Sequence, residues 1–98
     1  VKHEVVKGDV CDTLPEYFSR NPETIVALAY FDMDLYRPTK NSLEHIRPRL
    51  TRGSVVAFDE LCDHDSPGET KALMDAWGTQ SSSLRRVPWC SRTSYMVI

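Results

Sequence analysis

The chain has 98 residues, enough for one small domain with a single core. Its 12 Lys and Arg nearly balance 14 Asp and Glu, so no basic stripe points to nucleic acid, and no apolar run is long enough to span a bilayer. Three scattered cysteines, Cys11, Cys62 and Cys90, form no CxxC pair, which argues against a disulfide framework or zinc site and for a reducing, cytoplasmic setting. No signal peptide is visible, and the opening Val in place of Met suggests a piece of a longer chain or a processed product.

In chain order, residues 4–7 (EVVK) read as a short β-branched strand ending at Gly8. A helix follows, capped by Asp12 or Thr13, with Pro15 in its first turn and Leu14, Tyr17 and Phe18 on one face. Residues 25–31 (IVALAYF) are almost continuously apolar, the pattern of a strand buried on both faces. A second helix starts near Pro38, carries Leu43, Ile46 and Leu50 at helical spacing, and weakens at Pro48. After a turn at TRGS, residues 54–58 (SVVAF) form another buried strand. A polar loop, CDHDSPG, leads to a helix over residues 69–77 with Ala72, Leu73, Ala76 and Trp77 inward, stopped by Gly78. TQSSS reads as a flexible connection, and residues 84–89 and 94–98 as an antiparallel hairpin. The alternation predicts an α/β fold with a mostly parallel sheet ending in that hairpin.

Both buried strands end in acids, Asp32 with Asp34 and Asp59 with Glu60. Open α/β sheets keep their ligands beyond the carboxyl ends of their strands. Neighbouring strand ends lie roughly 5 Å apart, so Asp32 and Asp59 could share a hard cation such as Mg²⁺, which favours carboxylate oxygens. Acids at strand ends also solvate loops or cap helices, and spacing alone favours that plainer role. His64, between Asp63 and Asp65, is a candidate general base or metal ligand, although a lone histidine in a polar loop is more often simply exposed. His45 reads as a surface residue and His3 is uninformative. Tyr36 and Arg37 could contact a substrate but better suit packing and solvation. The cysteines read as core or loop residues, and Trp77 and Trp89 as core. No GxGxxG follows a first strand, so the chain carries no phosphate- or nucleoside-cradling loop of its own.

The stretches GDVCDTLPEYFSRNP, ALAYFDMDLYRPTKNSLEHIRPRL, GSVVAFDEL and PGETKAL, with the closing SLRRVPWCSRTSYMVI, resemble the macrocin O-methyltransferase (TylF-like) family. The resemblance runs over essentially the whole chain. It implies a class I, Rossmann-like methyltransferase fold using S-adenosylmethionine, with Mg²⁺ held by residues matching Asp32, Asp59 and Glu60. Glu60 departs from the family's usual Asp. Gly8, Asp9 and Val10 match the segment near the cofactor adenine. The implied acceptor is a small-molecule hydroxyl, often on a sugar.

The family's first two strands, with the glycine loop and the ribose-binding acid, have no counterpart here. Residues 1–98 therefore read as one partial domain, the C-terminal half from the third strand onward. This half is expected to be inactive alone, to associate with neither nucleic acid nor membrane, and to form a homodimer, either by joining the bared edges of residues 25–31 or by swapping the N-terminal segment; the other arrangement is a monomer in which residues 4–7 move in beside residues 25–31. The alternative is a free-standing, non-catalytic half-domain that folds as an oligomer or binds a small molecule.

Overall fold

A computed structural model describes residues 2–80 and 83–98. Its elements run α1 (Val10–Arg20), β1 (Val26–Phe31), α2 (Tyr36–Ile46), a 3-10 turn (Arg47–Arg49), β2 (Leu50–Phe58), α3 (Gly68–Ala76), β3 (Arg85–Arg86) and β4 (Ser94–Val97). The sheet order is β1-β2-β4-β3. β1 and β2 are parallel, and β4 pairs antiparallel with both β2 and β3, so the expected α/β class and its terminal hairpin are both present.

Helix α1 starts earlier than its predicted caps. Asp9 is the N-cap, and its side chain accepts the Cys11 amide at 2.9 Å. Pro15 consequently falls inside the helix rather than in its first turn. In α2, Pro38 does sit in the first turn, and Pro48 tightens the last one into the 3-10 segment. β2 is longer than predicted because TRGS is part of it. The pairing jumps from Val26↔Leu50 to Leu28↔Val55, and the extra residues of β2 are accommodated around Gly53 at φ 96°. The Ser54 hydroxyl closes this irregularity by donating to the Val26 carbonyl at 2.7 Å.

The core lies on one face of the sheet. Phe31 and Phe58 stack at 5.1 Å between ring centroids, and with Val56 and Met96 they meet Phe18 of α1, Leu43 and Ile46 of α2, and Ala72 and Leu73 of α3. The opposite face is uncovered among the described residues, which corrects the expectation that β1 is buried on both sides. Leu28 is 65% exposed and Tyr30 54%, because no described helix packs over them. A continuous apolar run signals that both faces are apolar; it does not say that this chain supplies both covers.

Other sequence expectations also change. Residues 4–7 form no strand and are exposed, and β1, at the sheet's end, has no partner on its outer side among the described residues. Trp89 is 88% exposed at the hairpin turn rather than in the core. Trp77 is partly buried against the core and donates its ring N–H to the Leu43 carbonyl at 3.2 Å. The predicted TQSSS connection lies partly outside the described residues.

Candidate active site

The two acidic strand ends are neighbours. Phe31 pairs with Phe58 in the parallel ladder, and the Asp59 amide donates to the Phe31 carbonyl at 2.9 Å, so Asp32 and Asp59 leave the sheet side by side. Tyr30 reaches the same spot from the uncovered face, where its hydroxyl donates to Asp59 Oδ1 at 3.0 Å. The Thr93 hydroxyl pulls the Tyr30 phenol down. The hydrogen bond to Asp59, burial, and the charges of Asp59 and Asp32 outweigh it and raise the phenol overall. Both carboxylates thus act on one phenol.

Glu60 turns another way. Its side chain is only 13% exposed, and Oε1 pairs with Arg92 of the hairpin at 3.0 Å. The other Arg92 nitrogen lies 3.7 Å from Asp63 Oδ2. His64 projects fully into solvent, with Nδ1 3.7 Å from Asp65. Among the described residues, no three His, Cys, Asp or Glu side chains converge as a set able to hold a metal ion. The donor chemistry at Asp32 and Asp59 still suits Mg²⁺, which takes one or two carboxylates and completes its octahedron with water and substrate oxygens.

On the other side of β1's end, an open cleft of about 580 Å³ is lined by Gly8, Asp9, Val10, Met33, Leu35 and Pro38, among others. Gly8 has φ 143°, and a Cβ there would meet the Thr13 methyl at 2.8 Å, so this turn favours glycine. The amide of Cys11, hydrogen-bonded to the Asp9 carboxylate, holds that carboxyl below its usual range. The cleft thus offers apolar walls and two charged side chains, Asp9 and Arg37, a lining compatible with an adenine ring.

Tyr36 takes the favoured packing role: its hydroxyl donates to Asp75 at 2.8 Å, with Lys71 above the ring, which ties α2 to α3 at the surface. Arg37 lines the cleft beside Gly8, Asp9 and Val10. His45 bonds within α2, Nδ1 to the Asn41 carbonyl at 2.8 Å.

Sequence reasoning missed Glu69. It lies in the first turn of α3 and is fully buried. Its Oε1 accepts the amides of Met33 at 3.3 Å and Asp34 at 3.4 Å, and Oε2 accepts the amide of Glu60 at 3.2 Å. Burial dominates and, with the charge of Asp34, keeps its carboxyl above the usual range, although the amides of Glu60, Met33 and Asp34 oppose the shift. Gly68 makes this reach possible. A Cβ on Gly68 would lie 2.2 Å from the Asp34 carbonyl oxygen, so only glycine lets α3 begin so close to the loop after β1. The available signal was PGET itself, a glycine and an acid opening a helix directly after the second acidic loop.

With this geometry in place, the likeness to known structures is specific. The apo structure of CalS11, a TDP-rhamnose 3'-O-methyltransferase in calicheamicin biosynthesis, matches with a TM-score of 0.91 and 50% sequence identity, over 94% of this chain and 39% of its own. The chain has part of a Rossmann-like methyltransferase fold. A second structure of CalS11, the calicheamicin methyltransferase, matches equally well over 36% of its length. The methyltransferase fold here therefore spans less than two-fifths of either neighbour. No family model and no curated protein matches the chain. No described helix is long and apolar enough to cross a membrane.

Proposed function

We propose that this chain is the metal-bearing, C-terminal portion of a Mg²⁺- and S-adenosylmethionine-dependent O-methyltransferase, as its resemblance to the macrocin family implies. Its acceptor is a small-molecule hydroxyl, and by analogy with CalS11 a nucleotide-linked sugar. The observation that carries this reading is the 50% identity to CalS11 across 94% of the chain. The paired Asp32 and Asp59 support it, because they lie at the carboxyl ends of adjacent strands.

In this reading Asp32 and Asp59 are the main ion ligands, and Glu60 assists from its place beside Arg92. A bound ion supplies Lewis-acid stabilisation of the negative charge that grows on the acceptor oxygen. Tyr30 orients Asp59 through its hydrogen bond. Gly8, Asp9 and Val10 line the side of the cleft that receives the adenine of the methyl donor. His64, on the loop after Glu60, is only a candidate base: its ring projects into solvent beside Asp65, and the proton acceptor is left unassigned. The chain alone does not methylate, since it lacks the glycine loop that holds the donor. Its uncovered sheet face and free β1 edge lead to a two-fold homodimer when it is isolated; light scattering that returns a monomer at micromolar concentration would contradict this.

A chimera tests the function directly. Replacing the matching stretch of CalS11 with this chain should give a protein that methylates TDP-rhamnose when Mg²⁺ is present. Asp32→Asn in the chimera should abolish most of that turnover. A folded chimera without activity, or one indifferent to Asp32, would overturn the proposal.

A further inference from the structure

One buried carboxylate joins both acidic loops. Glu69 is the sole side chain among the described residues whose two oxygens bond backbone from both, the Met33–Asp34 amides through Oε1 and the Glu60 amide through Oε2. Asp34 is held at φ 59°, a conformation uncommon for a residue other than glycine, and its amide is one of those bonded. The backbone approach at Gly68 places Glu69 between the loops.

We infer that Glu69 is a positioning residue, whose two carboxylate oxygens set the separation of the Asp32–Asp34 and Asp59–Glu60 loops and so the geometry presented to a cation. The chemistry specifies a carboxylate. Both oxygens must accept, whereas the glutamine carboxamide of the same shape has one acceptor oxygen and one NH2 donor. Removing a group that orients a metal ligand typically costs about 10–100-fold in metal affinity. The statement about cation affinity rests on the function proposed above; the clamp between loops does not.

Backbone amide hydrogen exchange on the ¹⁵N-labelled chain, read by NMR, separates the two. In the wild type, the amides of Met33, Asp34 and Glu60 should be protected although all three lie outside helices and strands. In E69Q the single acceptor should stay with the Met33–Asp34 pair, where it satisfies two donors, and the carboxamide NH2 should face the Glu60 amide. Glu60 should then exchange about tenfold faster or more, with Met33, Asp34 and the β2–β4 ladder unchanged. Mg²⁺ titrated by calorimetry should bind E69Q about 10–100-fold more weakly than wild type.

Open-chain exchange at the three wild-type amides would overturn the inference without any variant. So would uniform acceleration throughout E69Q, which is the mark of general loosening. Selective exchange at Glu60 with undiminished Mg²⁺ binding would refute the positioning role. If neither protein binds Mg²⁺, the metal reading fails, and selective release of Glu60 in E69Q still establishes the clamp.

Discussion

Gly68→Ala sets two physical effects against each other. Gly68 opens α3, where glycine is disfavoured relative to alanine by up to about 1 kcal/mol, so local propensity expects the substitution to stabilise α3. The structure expects the reverse. The new methyl would sit 2.2 Å from the Asp34 carbonyl oxygen, 2.8 Å from the Tyr36 nitrogen and 3.1 Å from the Leu35 carbonyl carbon. All three are backbone atoms, so no flexible side chain can turn aside. Overpacking of this kind costs about 1–3 kcal/mol, and a contact this short belongs at the upper end. The propensity gain offsets up to about 1 kcal/mol, leaving a net loss of about 2 kcal/mol. For a domain of this size that lowers the melting temperature by about 8–16 °C. Urea unfolding followed by circular dichroism measures the loss. NMR shifts at Asp34, Leu35 and Tyr36 show whether it arises at the contact. A Gly68→Ala protein as stable as the wild type would refute the close approach, and with it the account of how Glu69 reaches both loops.

Three other outcomes are expected. Asp32→Asn should weaken Mg²⁺ binding more than Asp34→Asn does in calorimetric titrations, because Asp32 directly follows the paired end of β1 whereas Asp34 has turned into a left-handed bend; equal effects would contradict the assignment. Phe58→Ala removes a fully buried ring stacked on Phe31 and should cost about 3–5 kcal/mol in urea unfolding, enough to unfold much of a core this small. Asp75 is held below its usual 3.8 by the hydrogen bond from Lys71 and then by that from Tyr36, so its contribution to stability is fully present above 3.8 and is lost as pH falls below that through its lowered folded-state value. Asp75→Asn should therefore unfold at lower urea than wild type at pH 7, with the gap closing in acid; a gap independent of pH would show that charge is not the source.

The sequence by itself determined the order of elements and the place of the acids. Apolar runs ending in Asp32 and Asp59 mark strand ends, because a parallel strand must be apolar and its carboxyl end opens to solvent. Leu43, Ile46, Ala72 and Leu73 were legible as core from helical spacing, and each is buried. Three-dimensional contacts decided the rest. Residues 4–7 look like a strand, yet a strand requires a partner, and their local sequence cannot state whether one is present. Leu28 and Tyr30 are apolar enough for an interior, but exposure depends on what packs over them. Glu60 and Asp59 are adjacent and both acidic; only the folded hairpin brings Arg92 to Glu60 and leaves Asp59 to Tyr30. Glu69 reads locally as an ordinary acid in a first helical turn. Its bonds to Met33 and Asp34 span more than thirty residues, and such a long-range contact is set by packing, not by neighbours in the chain.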